Sequence, residues 1–82
     1  MTHAYNDLTF STALRMLKDH KQVYRMGWDS YQWLTLIHPG NATHMGYDMQ
    51  PCIGIKTVGG KMQPGWVPSQ SDMLAEDWIE WL

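Results

Sequence analysis

Five tryptophans, at positions 28, 33, 66, 78 and 81, stand in a chain of only 82 residues, alongside four tyrosines and a single phenylalanine. A domain this short hides only about 60% of the surface its unfolded chain exposes. Its core has room for some of these rings and leaves the others at a boundary. Tryptophan suits a boundary, because its apolar body can be covered while its N–H meets a polar edge. Two uses follow from that chemistry: packing between subunits of an oligomer, or stacking on a planar ligand. Both stay open at the level of composition.

The remaining composition narrows the class. Hydrophobic residues make up 44% of the chain and charged residues 17%, so it has the apolar content of a folded domain. The formal charge is −2, without the basic excess that binding to a phosphate polymer requires. Cys52 is the single cysteine, which excludes an internal disulfide framework and any cysteine-rich zinc knuckle. Residues 1–7 carry neither a basic stretch nor an apolar one of the kind found in secretory leaders. No apolar run approaches the roughly 18 residues of a spanning helix. The expectation is a single domain, residues 1–82, located in the cytoplasm. On that expectation the sequon Asn41-Ala42-Thr43 is coincidental.

The pattern predicts an α+β fold, with an N-terminal helix packed on a small antiparallel sheet. Phe10, Ala13, Leu14 and Leu17 recur at helical period, with Thr9 as N-cap and Arg15, Lys18 and Asp19 on the polar side. A helix this short is unstable alone and requires a sheet beneath it. Residues 22–25 read as a short strand, 26–30 as a turn, and 31–37 as a longer strand. In that strand Tyr31, Trp33, Thr35 and Ile37 face one way, and Gln32, Leu34 and Leu36 the other. Both faces are apolar, so one is assigned to the helix and the other to a second subunit. Residues 38–51 form the least regular stretch. A Gly59-Gly60 hairpin is expected to join strands 52–58 and 61–67, with Pro64 and Pro68 placing the second at an edge. Residues 69–75 read as one helical turn capped by Ser69 or Ser71. Residues 77–82 fit either period, Leu74, Trp78 and Trp81 suiting a helix, and a closing strand is preferred for the ladder it adds.

Catalytic signatures are missing from the sequence. His38, His44, Asp48 and Cys52 match no standard zinc spacing. Neither a nucleophile elbow nor a phosphate-binding glycine loop is present. The one close pair of carboxylates in the sequence, Glu76 and Asp77, would point to opposite faces of a strand. The expectation is a protein without catalytic residues, metal or cofactor. What remains is a binding module whose distinctive residues gather at element ends: Arg25, Trp28, Thr57, Trp66, Ser69, Gln70, Ser71 and Asp72. Flat aromatic faces, short hydroxyls, an amide, a carboxylate and a helix start are the groups that hold a nucleotide. The same residues also make sense as a helix cap beside core tryptophans.

These residues carry a family resemblance. Thr9-Phe10 with Ala13-Leu14, Arg25-Met26-Gly27-Trp28, Ile53-Gly54-Ile55-Lys56-Thr57, Gly65-Trp66 and the closing block from Ser69 to Trp78 resemble the small phage and prophage proteins of the Thoeris anti-defence 2 family. The resemblance implies a non-enzymatic sponge acting in the cytoplasm of the bacterial host. It would sequester glycocyclic ADP-ribose made by TIR-domain proteins, with cyclic dinucleotides of CBASS defence at a separate site. It further implies a homotetramer with pockets between protomers, no membrane partner and no nucleic-acid polymer. On this resemblance Phe10 and Trp28 become apolar walls, Thr57 and Asp72 polar contacts, and Trp66, Ser69, Gln70 and Ser71 contacts or their supports. The loop 38–51 offers no cation other than histidine, which leaves Arg25, Lys56 or backbone amides for the phosphates. The alternative is an inhibitor that docks a tryptophan-rich surface on a defence protein.

Overall fold

The computed structural model describes residues 8–28 and 31–82. The leader reading of residues 1–7 and the 29–30 end of the expected turn lie outside the described residues. Helix α1 spans Phe10–Lys18, and the Thr9 side chain caps it by accepting the Thr12 N–H. His20, at φ 66°, ends the helix in the left-handed conformation. Lys21 N donates to Met16 O and His20 N to Leu17 O, the paired bonds of a Schellman stop.

Five strands build one antiparallel sheet: β1 Gln22–Arg25, β2 Trp33–Ile37, β5 Cys52–Lys56, β6 Met62–Pro64 and β7 Trp78–Trp81. Their order across the sheet is β6-β5-β2-β1-β7. Two further strands, β3 Thr43–His44 and β4 Tyr47–Asp48, form a separate hairpin, and helix α2 covers Gln70–Leu74. The α+β architecture read from the sequence therefore holds, including the short helix before the closing strand.

Directly paired residues share a face of the sheet. Val23 opposes Leu34, Leu34 opposes Ile55, and Arg25 opposes Trp78, so these lie together on the side that α1 covers. The core there is Ala13, Met16 and Leu17 from the helix, packed on Val23, Leu34 and Trp78. Met16 joins the buried stripe, and Phe10 and Leu14 sit at its margin. The opposite face carries Tyr24, Trp33, Thr35, Ile37, Ile79 and Trp81. Neither helix lies against it. There the Trp81 ring meets Tyr24 edge-on at 5.5 Å and Trp33 at 6.2 Å.

Three local expectations are corrected. Strand β2 begins at Trp33 rather than Tyr31, because the Lys56 Nζ donates to the Tyr31 carbonyl and takes it out of the ladder. The hairpin after β5 is a five-residue loop, 57–61, and not a Gly-Gly turn. Thr57 closes it, its N–H reaching Lys61 O and its hydroxyl accepting the Lys61 N–H. Only Gly60 of the two glycines takes a positive φ. The 38–51 segment is more ordered than expected, since it holds the β3–β4 hairpin. Pro64 lies on the edge strand β6, where its missing N–H costs the sheet little.

Candidate functional site

The strand order brings one end of several strands together. β1 ends at Arg25, β7 begins opposite it at Trp78, and β5 ends at Lys56 opposite Trp33, the start of β2. The chain leaves β6 through Gly65, at φ 81°, and returns over the helix-covered face as residues 66–75. The Gly65 and Trp66 N–H groups both donate to Ile53 O, which fixes where this crossing starts.

Trp78, fully buried, is the hub of an aromatic cluster. Trp28 stands edge-on to it at 5.4 Å, Phe10 at 5.7 Å, and Trp66 edge-on at 6.2 Å. Trp66 also meets Trp28 at 6.1 Å and Phe10 at 6.4 Å. Phe10, Trp28 and Trp66 are each half-buried, so the cluster presents an aromatic surface rather than a closed core. Tilted and edge-on contacts of this kind hold each ring at a set angle and contribute about 0.5–1.5 kcal/mol per pair beyond burial.

A polar frame adjoins it. Ser69 caps α2, its hydroxyl accepting the Asp72 N–H while the Asp72 carboxylate accepts the Ser69 N–H at 2.8 Å. The other oxygen of Asp72 pairs with Arg25 Nη1 at 3.0 Å, and Arg25 Nε pairs with Asp77 at 3.0 Å. The Trp78 indole N–H donates to the Asp72 carbonyl at 3.1 Å. Asp72 thus ties α2 to β1 through its side chain and to the aromatic hub through its backbone. Burial alone would push its carboxyl up, but the Ser69 N–H, the Arg25 guanidinium and the Ser69 hydroxyl outweigh it and hold the carboxyl below its usual range. Bonds to Asp77 and Asp72 raise Arg25 against the opposing effect of burial.

Most of the residues singled out in the sequence meet here. Phe10, Trp28 and Trp66 form the aromatic surface, and Arg25, Ser69 and Asp72 the frame beside it. Gln70 and Ser71 lie exposed on α2. Thr57 stands at the same end of the sheet but two strands from β1, about 10 Å away at ordinary strand spacing. The reading of Ser69 to Asp72 as a helix cap is correct, and the Asp72 side chain serves both that cap and the pair with Arg25. Trp78 and Asp77 are the residues that sequence reasoning did not place in the site. Their signal was the register, since Arg25 and Trp78 become neighbours only once β7 pairs with β1. The carboxylates that act together are Asp72 and Asp77, bridged by Arg25, rather than Glu76 and Asp77.

The residues weighed as metal ligands are not gathered. Thr43 and not His44 opposes Asp48, and the His38 ring lies 5.0 Å from that of His20. Among the described residues, no three histidine, cysteine or acidic side chains are grouped to hold a metal. No helix there is long and apolar enough to cross a membrane.

Comparison with known proteins identifies the family of the chain. A family model described as a Thoeris anti-defense 2-like domain matches residues 8–81. A protein of Bacillus phage SP01 named Thoeris anti-defense 2 is 37% identical over 82 residues, covering 87% of this chain and 91% of that protein.

Proposed function

From a chain that belongs to the Thoeris anti-defense 2-like family, and is thereby a phage anti-defence protein, we propose a sponge that sequesters a cyclic nucleotide immune signal without degrading it. The observation that carries this reading is the half-exposed surface of Phe10, Trp28 and Trp66 beside the Arg25–Asp72 frame. An aromatic surface stacks on a base, and sequence-tolerant stacking of this kind contributes about 1–3 kcal/mol per base. A carboxylate carries about four acceptor positions. Asp72 uses two of them within the protein, which leaves acceptors for ribose hydroxyls or an exocyclic amine. Exposed Gln70 and Ser71 supply further polar groups next to it.

The signal is glycocyclic ADP-ribose, the product of TIR-domain defence proteins, with cyclic dinucleotides of CBASS held at a separate site. Arg25 is already clamped by two carboxylates, so the phosphates fall to its remaining N–H donors, to Lys56 or to backbone amides. Thr57, set about 10 Å from Arg25, reaches the same ligand only if that ligand spans the gap or a second copy brings its own Thr57 close. A homotetramer with pockets between protomers satisfies this. It also gives the Tyr24, Trp33 and Trp81 face a partner. The protein acts in the cytoplasm of the host cell, where the signal is made, and by mass action alone.

The test is recovery of the ligand. Protein is incubated with glycocyclic ADP-ribose, freed of unbound ligand and heat-denatured, and the supernatant is analysed. Intact signal in near-stoichiometric amount is the expected result. Degraded product would make the protein an enzyme. Failure to retain any ligand would favour the second reading, an inhibitor that docks its uncovered tryptophan face on a defence protein.

A further inference from the structure

The β3–β4 hairpin carries apolar side chains that nothing among the described residues covers. Every residue from 40 to 50 is exposed, and Met45 and Tyr47 are 84% and 77% exposed, with Met49 close behind in the sequence. The hairpin forms a two-stranded sheet of its own, apart from the main sheet. An isolated pair of strands is marginal in water and gains stability by packing on something.

Its turn supplies a second, independent observation. Thr43 pairs with Asp48 and His44 with Tyr47, so Met45 and Gly46 are the two residues of the loop. Both have positive φ, 53° and 85°, as a type I′ turn requires. Asparagine followed by glycine is the favoured pair for such a turn, and a bulky residue at the first position is strained there. Methionine at position 45 thus holds a long apolar side chain at the tip where local energetics favour a short polar one. Strain kept at an exposed tip points to a contact made by that side chain.

We infer that this hairpin is an arm which packs on the uncovered sheet face of a second copy of the chain. Asp48 is the only formally charged residue between 38 and 51, so the arm has no Lys or Arg to hold a nucleic acid and too little charge to select an ionic surface. The face bearing Tyr24, Trp33, Ile37, Ile79 and Trp81 is mostly aromatic and aliphatic, with Gln22, Thr35 and Lys56 as its polar members, and neither helix covers it. A covered tyrosine hides about 150–250 Å², and Tyr47 with Met45 and Met49 would hide on the order of 400 Å². In a reciprocal exchange each copy gives one arm and receives another, which brings the area per partner to roughly the 800 Å² of a stable complex. The inference rests on the self-association proposed above and assigns it a contact.

The test uses the full chain with Met45→Asn and Tyr47→Thr together. Asparagine before Gly46 suits the turn, and both positions are exposed, so the hairpin is kept while its apolar tip is removed. Sedimentation velocity over 1–100 μM should show self-association weakened at least tenfold relative to the unsubstituted protein. Unchanged association of the variant overturns the arm and leaves the oligomer standing. A monomeric unsubstituted protein overturns both. A photoreactive benzophenone side chain placed at position 47 gives the direct readout. A cross-linked species of twice the chain mass, mapped to β1, β2 or β7, is expected; cross-links confined to single chains, or mapped elsewhere, overturn the assignment.

Discussion

Replacing Asp72 by alanine removes two interactions from a side chain that is only 13% exposed. The first is the acceptor for the Ser69 N–H in the capping box, at 2.8 Å. The Ser69 cap on the residue 72 N–H survives the change, so the loss is that one hydrogen bond, about 0.5–1.5 kcal/mol. The second is the 3.0 Å ion pair with Arg25, itself 22% exposed. A hydrogen bond to a charged group contributes about 1.5–3 kcal/mol, reduced here because Arg25 keeps Asp77. The sum is about 2 kcal/mol, which in a domain of this size lowers the melting temperature by roughly 8–16 °C. The family resemblance makes Asp72 a polar contact to ligand; the geometry shows that it also bears on the fold. Asp72→Asn retains an oxygen for Ser69 but loses the charge and should fall between. The pH dependence has a defined sign. A carboxyl held below its unfolded value stabilises fully above the unfolded pKa, about 3.9, and the contribution is lost as pH falls through the lower folded value. Thermal melts of wild type, Asp72→Ala and Asp72→Asn from pH 7 to pH 3 should therefore show a gap that narrows below about pH 4. An alanine variant melting within about 3 °C of wild type at pH 7, with a gap indifferent to pH, would refute the reasoning.

Trp28→Ala should weaken binding of the signal by about 1–3 kcal/mol while the protein stays folded, because Trp78 remains packed; calorimetric titration reads the first and circular dichroism the second. Sedimentation equilibrium should give a species of about four times the 9.5 kDa chain mass, and a folded monomer at micromolar concentration would contradict the tetramer. Gly54→Ala places a Cβ against the Ile37 side chain and 3.2 Å from the Gln63 carbonyl, so it should destabilise the sheet by about 1–3 kcal/mol in chemical denaturation. Thr9→Ala should cost about 0.5–2 kcal/mol by removing the α1 cap.

Much of the fold was legible because local rules and tertiary context agree. The α1 stripe, the Thr9 cap and the β1 boundaries follow from periodicity and polar punctuation. The closing strand was decided by the gain from another ladder, and β7 pairs with β1 along its whole length. Where side chains compete with backbone, the pattern misleads. The Lys56 ammonium claims the Tyr31 carbonyl, and the Thr57 hydroxyl reshapes a loop whose two glycines suggested a tighter turn. The β3–β4 hairpin escaped notice because its turn holds Met45 where asparagine would announce it. In the site, Trp28, Trp66 and the Ser69–Asp72 cap stood out as residue types at element ends, while Phe10 came in only through the family resemblance. Trp78 and Asp77 did not, since a buried hub and a bridging carboxylate exist only after two distant strands have paired.

The central claim is tight, reversible capture, and titration calorimetry of glycocyclic ADP-ribose into the purified protein tests it most directly. Saturable binding with a nanomolar dissociation constant, about −12 kcal/mol, and a flat baseline after saturation is the predicted result. Absence of binding at tens of micromolar ligand, or heat that continues with time as product accumulates, would contradict it.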